Sequence, residues 1–341
     1  MSLPGRRKHG IKSTKLRRPT IATVTLNPSL DITITVHGLT VDGTNRWSNS
    51  RIYAGGKGIA VSRAVHEMGG RTVAYGFIGG SPGRQVEILL DEQGVPFAFT
   101  PVGHETRTNF IITDSKTLKQ TRIDAPGPRI SPREFDRFRK KLQQIDPKPV
   151  ILVVGGSVPP GIRVNVYYDM VIEARGFGLK CCLDSDGQWL EEGIKANPYI
   201  AKPNVHEAEG LLKRELPTEE AIVEAALELV EGGVEVAVIS RGKDGIIAAT
   251  KEKIVKAVPP EVKVRSTVGA GDSTVAGLAM SLAYGESLVE SCRMAVAMGT
   301  AAVLIHGTEL CHRDEVERLL PQIQIWEMTA ERQVKAFFTG T

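Results

Sequence analysis

The chain has 341 residues, of which 41% are hydrophobic and 24% charged, as is usual for a soluble globular protein. This length allows one large α/β domain with an appendage, or two domains. The net charge is +4, but the first 20 residues hold seven lysines and arginines and no acid, which leaves 36 basic and 39 acidic residues elsewhere. The slightly acidic body gives no reason to expect a nucleic-acid partner, and we expect residues 1–19 to form a disordered basic tail.

Membrane and secretory signals are not found in the sequence. It has no run of about 18 apolar residues, which predicts no transmembrane helix, and the N-terminus lacks the apolar segment of a secretory signal. The four cysteines have neither metal-ligand spacing nor a disulfide framework, which fits a reducing compartment. We therefore expect a cytoplasmic protein.

The first half of the chain indicates two kinds of strand. Residues 21–26 are a short β-branched apolar run, which predicts the first core strand, and Asp31 lies at the exit of the following turn. Further segments alternate polar and apolar residues without intervening helical patterns: residues 32–36, 97–102, 108–113 and 119–123. They predict a small antiparallel sheet that covers a larger one, drawn from about residues 31–53 and 95–123.

A glycine-rich stretch, Ala54-Gly-Gly-Lys-Gly58, precedes an amphipathic helical pattern that ends near residues 69–70. It matches neither the G-x-x-x-x-G-K-[ST] loop nor the G-x-G-x-x-G fingerprint. A tight turn before a helix explains it equally well when it is taken alone. The residues after the first strand, Leu26-Asn27-Pro28, also exclude a dinucleotide-binding oxidoreductase of the usual type.

From residue 131 onward, strand and helix patterns alternate regularly. Ser131-Pro-Arg-Glu134 predicts a capping box with proline at the first helical position, and buried strands follow at residues 150–154, 180–183 and 234–239. Polar and glycine residues gather after these strands, where open parallel sheets bind their ligands. We therefore predict one domain over residues 20–322, followed by a C-terminal extension, residues 323–341, without an assigned role.

A second glycine-rich stretch is the strongest chemical signal. Gly269, Ala270, Gly271 and Asp272 precede an apolar helical pattern, so unpaired N–H groups and the positive end of a helix dipole would meet there. An anion can approach such a backbone closely, and Asp272 would stand beside it as a base. The alternative is an ordinary turn in which Asp272 is an N-cap.

Six stretches carry a family resemblance: Thr25-Leu-Asn-Pro-Ser-Leu-Asp31, Ala54-Gly-Gly-Lys-Gly58, Glu105-Thr-Arg-Thr-Asn109, Gly156-Ser-Val-Pro-Pro-Gly161, Lys202-Pro-Asn-Val-His-Glu207 and Thr267-Val-Gly-Ala-Gly-Asp272. In this order they resemble the motifs of the ribokinase/PfkB sugar-kinase family, and within it the 1-phosphofructokinase and tagatose-6-phosphate kinase branch. The resemblance implies a ribokinase-like three-layer α/β/α core, a mostly parallel central sheet and a small β-sheet lid. It also implies a homodimer joined through the lids.

The resemblance assigns the phosphoryl-transfer residues as follows. Asp272 resembles the general base, and Gly269, Ala270 and Gly271 resemble the anion hole for the transferred phosphoryl group. The nucleotide side would consist of Lys202, Asn204, Glu207, Ser240, Gly242 and Gly245, with Asn204 and Glu207 organising Mg²⁺ directly or through water. The plainer alternatives are a first-turn glutamate for Glu207 and a solvated surface lysine for Lys202.

The sugar side is assigned in the same way. Asp31, Gly55 and Gly56 resemble the positions that bind sugar hydroxyls, and Asn109 belongs to the same group. Arg107 resembles the arginine that binds the phosphate already on the sugar, where Lys57 and Ser157 would assist. A guanidinium suits bidentate phosphate binding, although a cross-strand charge pair on an exposed lid is the alternative.

Two positions depart from the family pattern: Ala60 stands where an asparagine is expected, and Arg241 where an apolar residue is expected. We expect an ATP- and Mg²⁺-dependent phosphosugar kinase, with fructose 1-phosphate as the first candidate acceptor and a monovalent cation as an optional further cofactor. The alternatives are a tagatose-6-phosphate or fructose-6-phosphate kinase, a free-sugar or nucleoside kinase, and a non-catalytic sugar-phosphate sensor.

Overall fold

A computed structural model describes residues 20–305 and 309–330. In chain order its strands are β1 (Thr20–Thr25), β2 (Ser29–Val36), β3 (Trp47–Gly55), β4 (Arg71–Ile78), β5 (Thr100–Pro101), β6 (Arg107–Asp114), β7 (Gln120–Ile123), β8 (Ile151–Gly155), β9 (Lys180–Asp184), β10 (Ile200–Ala201), β11 (Val236–Ser240), β12 (Ile246–Ala249), β13 (Lys253–Val258) and β14 (Gln324–Thr329). The helices are α1 (Lys57–Glu67), α2 (Gly80–Glu92), α3 (Pro132–Gln143), α4 (Val166–Gly176), α5 (Gly187–Gly193), α6 (Val205–Leu212), α7 (Glu219–Glu231), α8 (Ala270–Ala283), α9 (Leu288–Val303) and α10 (Arg313–Leu319).

The larger sheet contains ten of these strands in the order β14-β13-β12-β11-β10-β9-β8-β1-β4-β5. The pairs from β11 to β5 are parallel, and the pairs from β11 to β14 are antiparallel. The prediction of a mostly parallel central sheet is therefore confirmed. Parallel strands that are covered on both faces read as continuous apolar runs, as residues 21–26 do.

Helices cover both faces of this sheet. Ile21 of β1 and Val153 of β8 pack with α1, α8, α9 and α10 on one face, whereas Val24 and Val154 pack with α3, α4 and α5 on the other. Alternate side chains of one strand thus enter different apolar clusters, as the twofold period of a strand requires. This arrangement confirms the three-layer α/β/α architecture.

The smaller sheet, called the lid below, has the strand order β3-β2-β6-β7. It is mixed rather than antiparallel, because β2 pairs with β6 in parallel while the other pairs are antiparallel. The chain makes a long crossover through α1, β4, α2 and β5 between β2 and β6, and such a connection permits the parallel direction. The prediction of an antiparallel sheet was wrong at this pair.

The structure differs from the sequence prediction at two boundaries, one of the lid and one of the domain. Residues 97–102 do not join the lid, because β5 pairs with β4 at the edge of the larger sheet and Phe99 is buried against α2. The boundary at residue 322 divides the larger sheet, because β14 pairs with β13 beyond it and the Lys256 ammonium lies 5.0 Å from the centre of the Trp326 ring. The predicted tail over residues 1–19 lies outside the described residues, as do residues 331–341 of the predicted extension.

Several local predictions are confirmed. Ser131 and Glu134 form the capping box of α3 with proline at its start, and Thr218 caps α7 through the Ala221 N–H group. The four cysteines are free and buried. Among the described residues, none of the helices combines the length and apolar character that crossing a bilayer requires.

Candidate active site

The first turn of α8 is an open backbone surface. Gly269 precedes the helix with a φ of 82°, in the left-handed region that favours glycine, and no side chain caps the helix. Asp272 is the third helical residue and not the N-cap, so the N-cap alternative is wrong. No described heavy atom lies within 4 Å of where a Cβ on Gly271 would stand. A ligand can therefore approach the N–H groups of this turn.

Asp272 has the properties of a base that works near neutrality. Burial raises the pKa of Asp272 to about 6, although the Lys57 ammonium opposes the shift. The Asp184 carboxylate adds to the increase, and Lys202 lowers it. A carboxylate with this pKa is ionised at neutral pH and still accepts a proton from an attacking hydroxyl.

A buried carboxylate joins the two lysines of the site. The Lys57 Nζ lies 3.1 Å from Asp184 Oδ2, and the Lys202 Nζ lies 3.3 Å from Asp184 Oδ1. Burial opposes ionisation of Asp184, but Lys202 and Lys57 outweigh it and hold the pKa of Asp184 below its usual value. Lys202 is only 3% exposed, so the surface-lysine alternative is wrong.

Lys57 lies among carboxylates, an environment that the sequence did not predict. Burial lowers the pKa of Lys57, but the charges of Asp184, Asp272 and Glu207 outweigh this effect and raise it. The Lys57 ammonium therefore stands close to the predicted base and to the predicted metal residue. In this position it can neutralise a phosphoryl group beside Asp272.

Asn204 and Glu207 form the capping box of α6. The Glu207 N–H group donates to Asn204 Oδ1 at 2.9 Å, and the Asn204 N–H group donates to Glu207 Oε2 at 2.8 Å. Glu207 is thus a first-turn glutamate, yet its Oε1 is not part of the box and its charge acts on Lys57. Among the described residues, no group of three or more His, Cys, Asp or Glu side chains is arranged to hold a metal. Mg²⁺ is commonly held by one or two carboxylates, waters and substrate phosphates, and Glu207 Oε1 is the carboxylate oxygen that this capping box leaves available.

The nucleotide-side glycines follow β11. Ser240 donates its N–H group to the Pro203 carbonyl at 3.0 Å, which joins this loop to the Lys202–Glu207 segment, and a short 3₁₀ turn over Gly242–Asp244 ends at Gly245. The Arg241 guanidinium lies 3.0 Å from Glu219, which also binds Lys256 at 2.7 Å. The charge of Arg241, which stands where the family pattern has an apolar residue, is therefore balanced by Glu219 of α7.

The inner face of the lid carries the predicted hydroxyl-binding residues. Asp31 of β2 lies opposite Tyr53 and Asn109, and its Oδ1 accepts from the Asn109 amide at 2.9 Å and from the Ser29 hydroxyl at 2.7 Å. A Cβ on Gly55 would stand 2.4 Å from Asp31 Oδ2, so only glycine fits this approach. Gly56 has a φ of 112° and leads directly into α1.

Arg107 lies at one end of this face, where the charges of Asp124 and Asp31 act on it but no described carboxylate forms a salt bridge with it. Its Nη atoms donate to the carbonyls of Ala125 and Asn27 at 2.9 and 3.0 Å and to the Ser157 hydroxyl at 3.1 Å, all neutral oxygens. Its Nε is buried without a hydrogen-bond partner among the described residues. Burial lowers the pKa of Arg107, and the cross-strand ion-pair alternative is wrong because no carboxylate in the described part of the chain forms a salt bridge with it.

A cavity of about 430 Å³ opens beside Arg107. Asn27, Arg107 and Ser157 supply polar groups, and Val158, Pro159 and Trp189 supply apolar surface. A cation that faces a cavity and forms no salt bridge with a described carboxylate is suited to an anionic ligand. Asp272 does not line this cavity, and the charge of Arg122 acts on both Asp272 and Arg107.

A model of the pfkB family of carbohydrate kinases matches residues 24–315. The chain belongs to this family. A carbohydrate kinase is a phosphotransferase that acts on a sugar hydroxyl, so the predicted class of enzyme and the family resemblance are confirmed, and the sensor alternative is not supported.

Three similar proteins carry three different names. The 1-phosphofructokinase of Borreliella burgdorferi is 33% identical over 89% of this chain and 98% of its own length. The tagatose-6-phosphate kinase of Staphylococcus epidermidis is 33% identical over 90% of this chain and 100% of its own length. A crystal structure of Escherichia coli phosphofructokinase-2 with potassium is 34% identical, covers 89% of this chain and 98% of that chain, and has a TM-score of 0.85. Overall identity therefore does not decide which sugar phosphate this PfkB kinase uses.

Three residues of this PfkB site were not assigned a role from the sequence. Asp184 lies at the end of a buried strand, a position typical of ligand-binding residues, and this signal could have identified it. Glu219 and Arg122 lie on surface-like polar patterns that gave no signal. The ion pair between Glu219 and Arg241, and the effect of the Arg122 charge on the pKa of Asp272, depend on the tertiary fold.

Proposed function

We propose that this PfkB kinase transfers the γ-phosphoryl group of ATP to a primary hydroxyl of a ketohexose phosphate, with fructose 1-phosphate as the first candidate and fructose 1,6-bisphosphate as its product. The observation that carries the proposal is the half-buried Arg107, whose described hydrogen bonds all go to neutral oxygens beside a cavity. A kinase of a free sugar or a nucleoside has no use for such a charge. A phosphate already present on the acceptor would supply an anion that hydrogen-bonds to the guanidinium directly.

The reaction requires only that the residues orient and stabilise the reactants. Asp31 and Asn109 orient the sugar hydroxyls, and Asp272 accepts the proton of the attacking hydroxyl as its oxygen forms a bond to the γ-phosphorus. The bond between that phosphorus and the bridging oxygen breaks, and ADP leaves with the electron pair. The N–H groups of Gly269, Ala270 and Gly271 and the Lys57 ammonium stabilise the transferred charge.

The nucleotide binds on the opposite side, along Lys202, Ser240, Gly242 and Gly245. Asn204 and Glu207 would hold Mg²⁺, through water where their capping box already occupies the oxygens. When bound, Mg²⁺ neutralises the phosphate oxygens and aligns them. Potassium accompanies the E. coli phosphofructokinase-2 structure, so we include K⁺ as a variable in the assays.

The lid supplies the proposed dimer interface. Ile52, Ile32, Phe110 and Ile123 lie opposite one another across all four strands, and three of them are exposed: Ile52 by 45%, Phe110 by 40% and Ile123 by 55%. An apolar row of this kind on an open sheet favours burial against a second copy. Light scattering should give a dimer at micromolar concentration, and Phe110→Glu should convert it to a monomer. A monomeric wild type would reject this interface.

The substrate proposal is tested with one panel. ATP consumption is measured with fructose 1-phosphate, fructose 6-phosphate, tagatose 6-phosphate, fructose and ribose, at fixed Mg²⁺ and with or without K⁺. We expect the highest kcat/KM with fructose 1-phosphate and a value at least tenfold lower with either free sugar. A preference for tagatose 6-phosphate or fructose 6-phosphate would replace the acceptor, and a preference for a free sugar would overturn the proposal.

A further inference from the structure

Arg122 of β7 lies on the inner face of the lid. It pairs with Ile111, which pairs in turn with Thr33, and Arg51 completes this row at the opposite edge. Ile111 is buried and follows Asn109 by two residues, so both side chains point to the face that carries Asp31. The register thus directs Arg122 toward the sugar-binding side and away from the exposed apolar row.

The segment after Arg122 is fixed to the acceptor site by three hydrogen bonds. The Ala125 carbonyl accepts from Arg107 at 2.9 Å, the Ala125 N–H group donates to Asn109 at 3.1 Å, and the Pro126 carbonyl accepts from Asn27 at 3.0 Å. These bonds hold the end of β7 over the acceptor cavity. Arg122 therefore precedes a segment whose position relative to the acceptor site is fixed, and its charge acts on Asp272.

The present partner of Arg122 is easily exchanged. Its Nε lies 3.1 Å from Asp124, and both side chains are about half exposed, at 48% and 46%. Exposed ion pairs of this kind are worth only about 0–1 kcal/mol. A doubly or triply charged phosphoryl group that enters the site can therefore displace Asp124 as the partner of the guanidinium.

We propose that Arg122 binds the phosphoryl group while it passes from ATP to the sugar, as a cation that the lid adds to the helix α8 side of the site. This inference rests on the proposed function of the same site. Arg122 forms and breaks no covalent bond; Asp272 takes the proton, and ADP leaves with the bonding electrons. The guanidinium stabilises charge on the transferred oxygens, which would connect lid closure with chemistry.

The pKa of Asp272, measured from the pH profile of kcat, distinguishes an electrostatic role of Arg122 from a merely structural one. The groups whose charges act on or with Asp272 are Lys57 and Arg63 of α1, Asp184 of β9, Lys202 after β10 and Arg122 of β7. Arg122 lowers the pKa of Asp272, so its removal should raise that pKa and move the acid limb of the kcat profile to higher pH.

The experiment compares Arg122→Met, Arg122→Lys and Lys119→Met, a control that removes a charge from the same hairpin. Each variant is assayed with ATP and whichever acceptor the wild type uses, from pH 5 to 8. We expect Arg122→Met to lower kcat about 100-fold, which is the usual loss when one oxyanion donor is removed. The acid limb of its kcat profile should move to higher pH, and added guanidinium should restore part of the activity. Arg122→Lys should keep more activity, and Lys119→Met should resemble wild type.

Three outcomes would overturn the inference. They are an unchanged kcat in Arg122→Met, an effect confined to the KM of the sugar phosphate, and an equal loss in Lys119→Met. An effect on KM alone would assign Arg122 to the phosphate already on the sugar. If the wild type phosphorylates no ketohexose phosphate, the proposed function fails, while the kcat and pH tests of Arg122 remain valid with the acceptor that it does use.

Discussion

Lys202 and Arg107 are both cations of the active site, but the protein treats them differently. Lys202 is buried and its charge is matched by Asp184, which also binds Lys57. Arg107 is held by neutral carbonyl and hydroxyl oxygens in the described part of the chain. On the proposed nucleotide side the charge of Lys202 is thus balanced by a direct ion pair, whereas on the proposed sugar side Arg107 forms no salt bridge with a described carboxylate.

The largest effect should come from the base. Asp272→Asn removes the proton acceptor without changing side-chain size, and we expect kcat to fall about 10²- to 10⁴-fold. Stopped assays of ADP formation measure it, with Asp91→Asn on the exposed side of α2 as the control. In the wild type, kcat/KM should decline below about pH 6, because Asp272 becomes protonated there. Equal rates in Asp272→Asn and wild type would remove the mechanism.

The ion pair between Asp184 and the buried Lys202 is tested by Asp184→Asn. It leaves Lys202 buried without a counter-charge, and we expect the free energy of unfolding to fall by about 3–5 kcal/mol in urea titrations. Asp169→Asn, which removes a surface pair with Arg163 at 3.7 Å, should cost less than about 1 kcal/mol.

The pH dependence of this stabilisation has a definite sign. Because the folded-state pKa of Asp184 is lowered, its contribution is present above the unfolded value near 3.8 and is lost as pH falls through the folded value. The difference in stability between wild type and Asp184→Asn should therefore narrow in acid below pH 4. A constant difference would contradict the ion-pair account.

The proposed binding of the sugar phosphate by Arg107 is tested by Arg107→Met. Truncating one partner of a buried charge pair costs about 2–4 kcal/mol, so kcat/KM for the sugar phosphate should fall about 30- to 1,000-fold while the KM of ATP stays unchanged. Arg107→Lys should recover only part of the loss, because it lacks the bidentate fork. Arg84→Met on α2 serves as the control. An equal loss of kcat/KM with free fructose would show that Arg107 does not bind the phosphate of the acceptor.

The smallest effect concerns specificity. Ala60 is a buried residue of the first turn of α1, at the position where the family resemblance leads us to expect asparagine. Ala60→Asn should raise kcat/KM for fructose 1-phosphate about threefold to tenfold if its amide gains one hydrogen bond to the sugar. Ala60→Leu, whose side chain branches at the same carbon as asparagine but has no amide, should not do so. A gain with tagatose 6-phosphate alone would change the preferred acceptor.

The fold was predictable where local pattern and tertiary position agree. The apolar runs of β1, β8, β9 and β11 read as buried parallel strands, and the glycine loops before α1 and α8 marked the site edge. Residues 97–102 were assigned to the wrong sheet because a short alternating strand does not reveal which sheet it joins, and β14 was left in an extension without an assigned role. That choice is made by partners distant in sequence.

The residue types of the candidate site could be predicted from the sequence, but the ion pairs between them could not. Sequence motifs grouped Lys57 with Arg107, whereas the fold brings Lys57 to Asp184, far along the chain. Nor could the pattern of β7 distinguish Arg122 from a solvated charge, because its inward direction follows from the register with Ile111. Electrostatic roles of this kind arise only when the two sheets are assembled.

The most direct test of the account is a crystal structure of the wild-type protein with fructose 1,6-bisphosphate. We expect one phosphate against Arg107 and Ser157, the other against the N–H groups of Gly269–Gly271 beside Asp272, and the sugar between them under the lid. A bisphosphate that touches only one of these groups, with Asp272 and Arg107 facing separate cavities, would contradict the assignment.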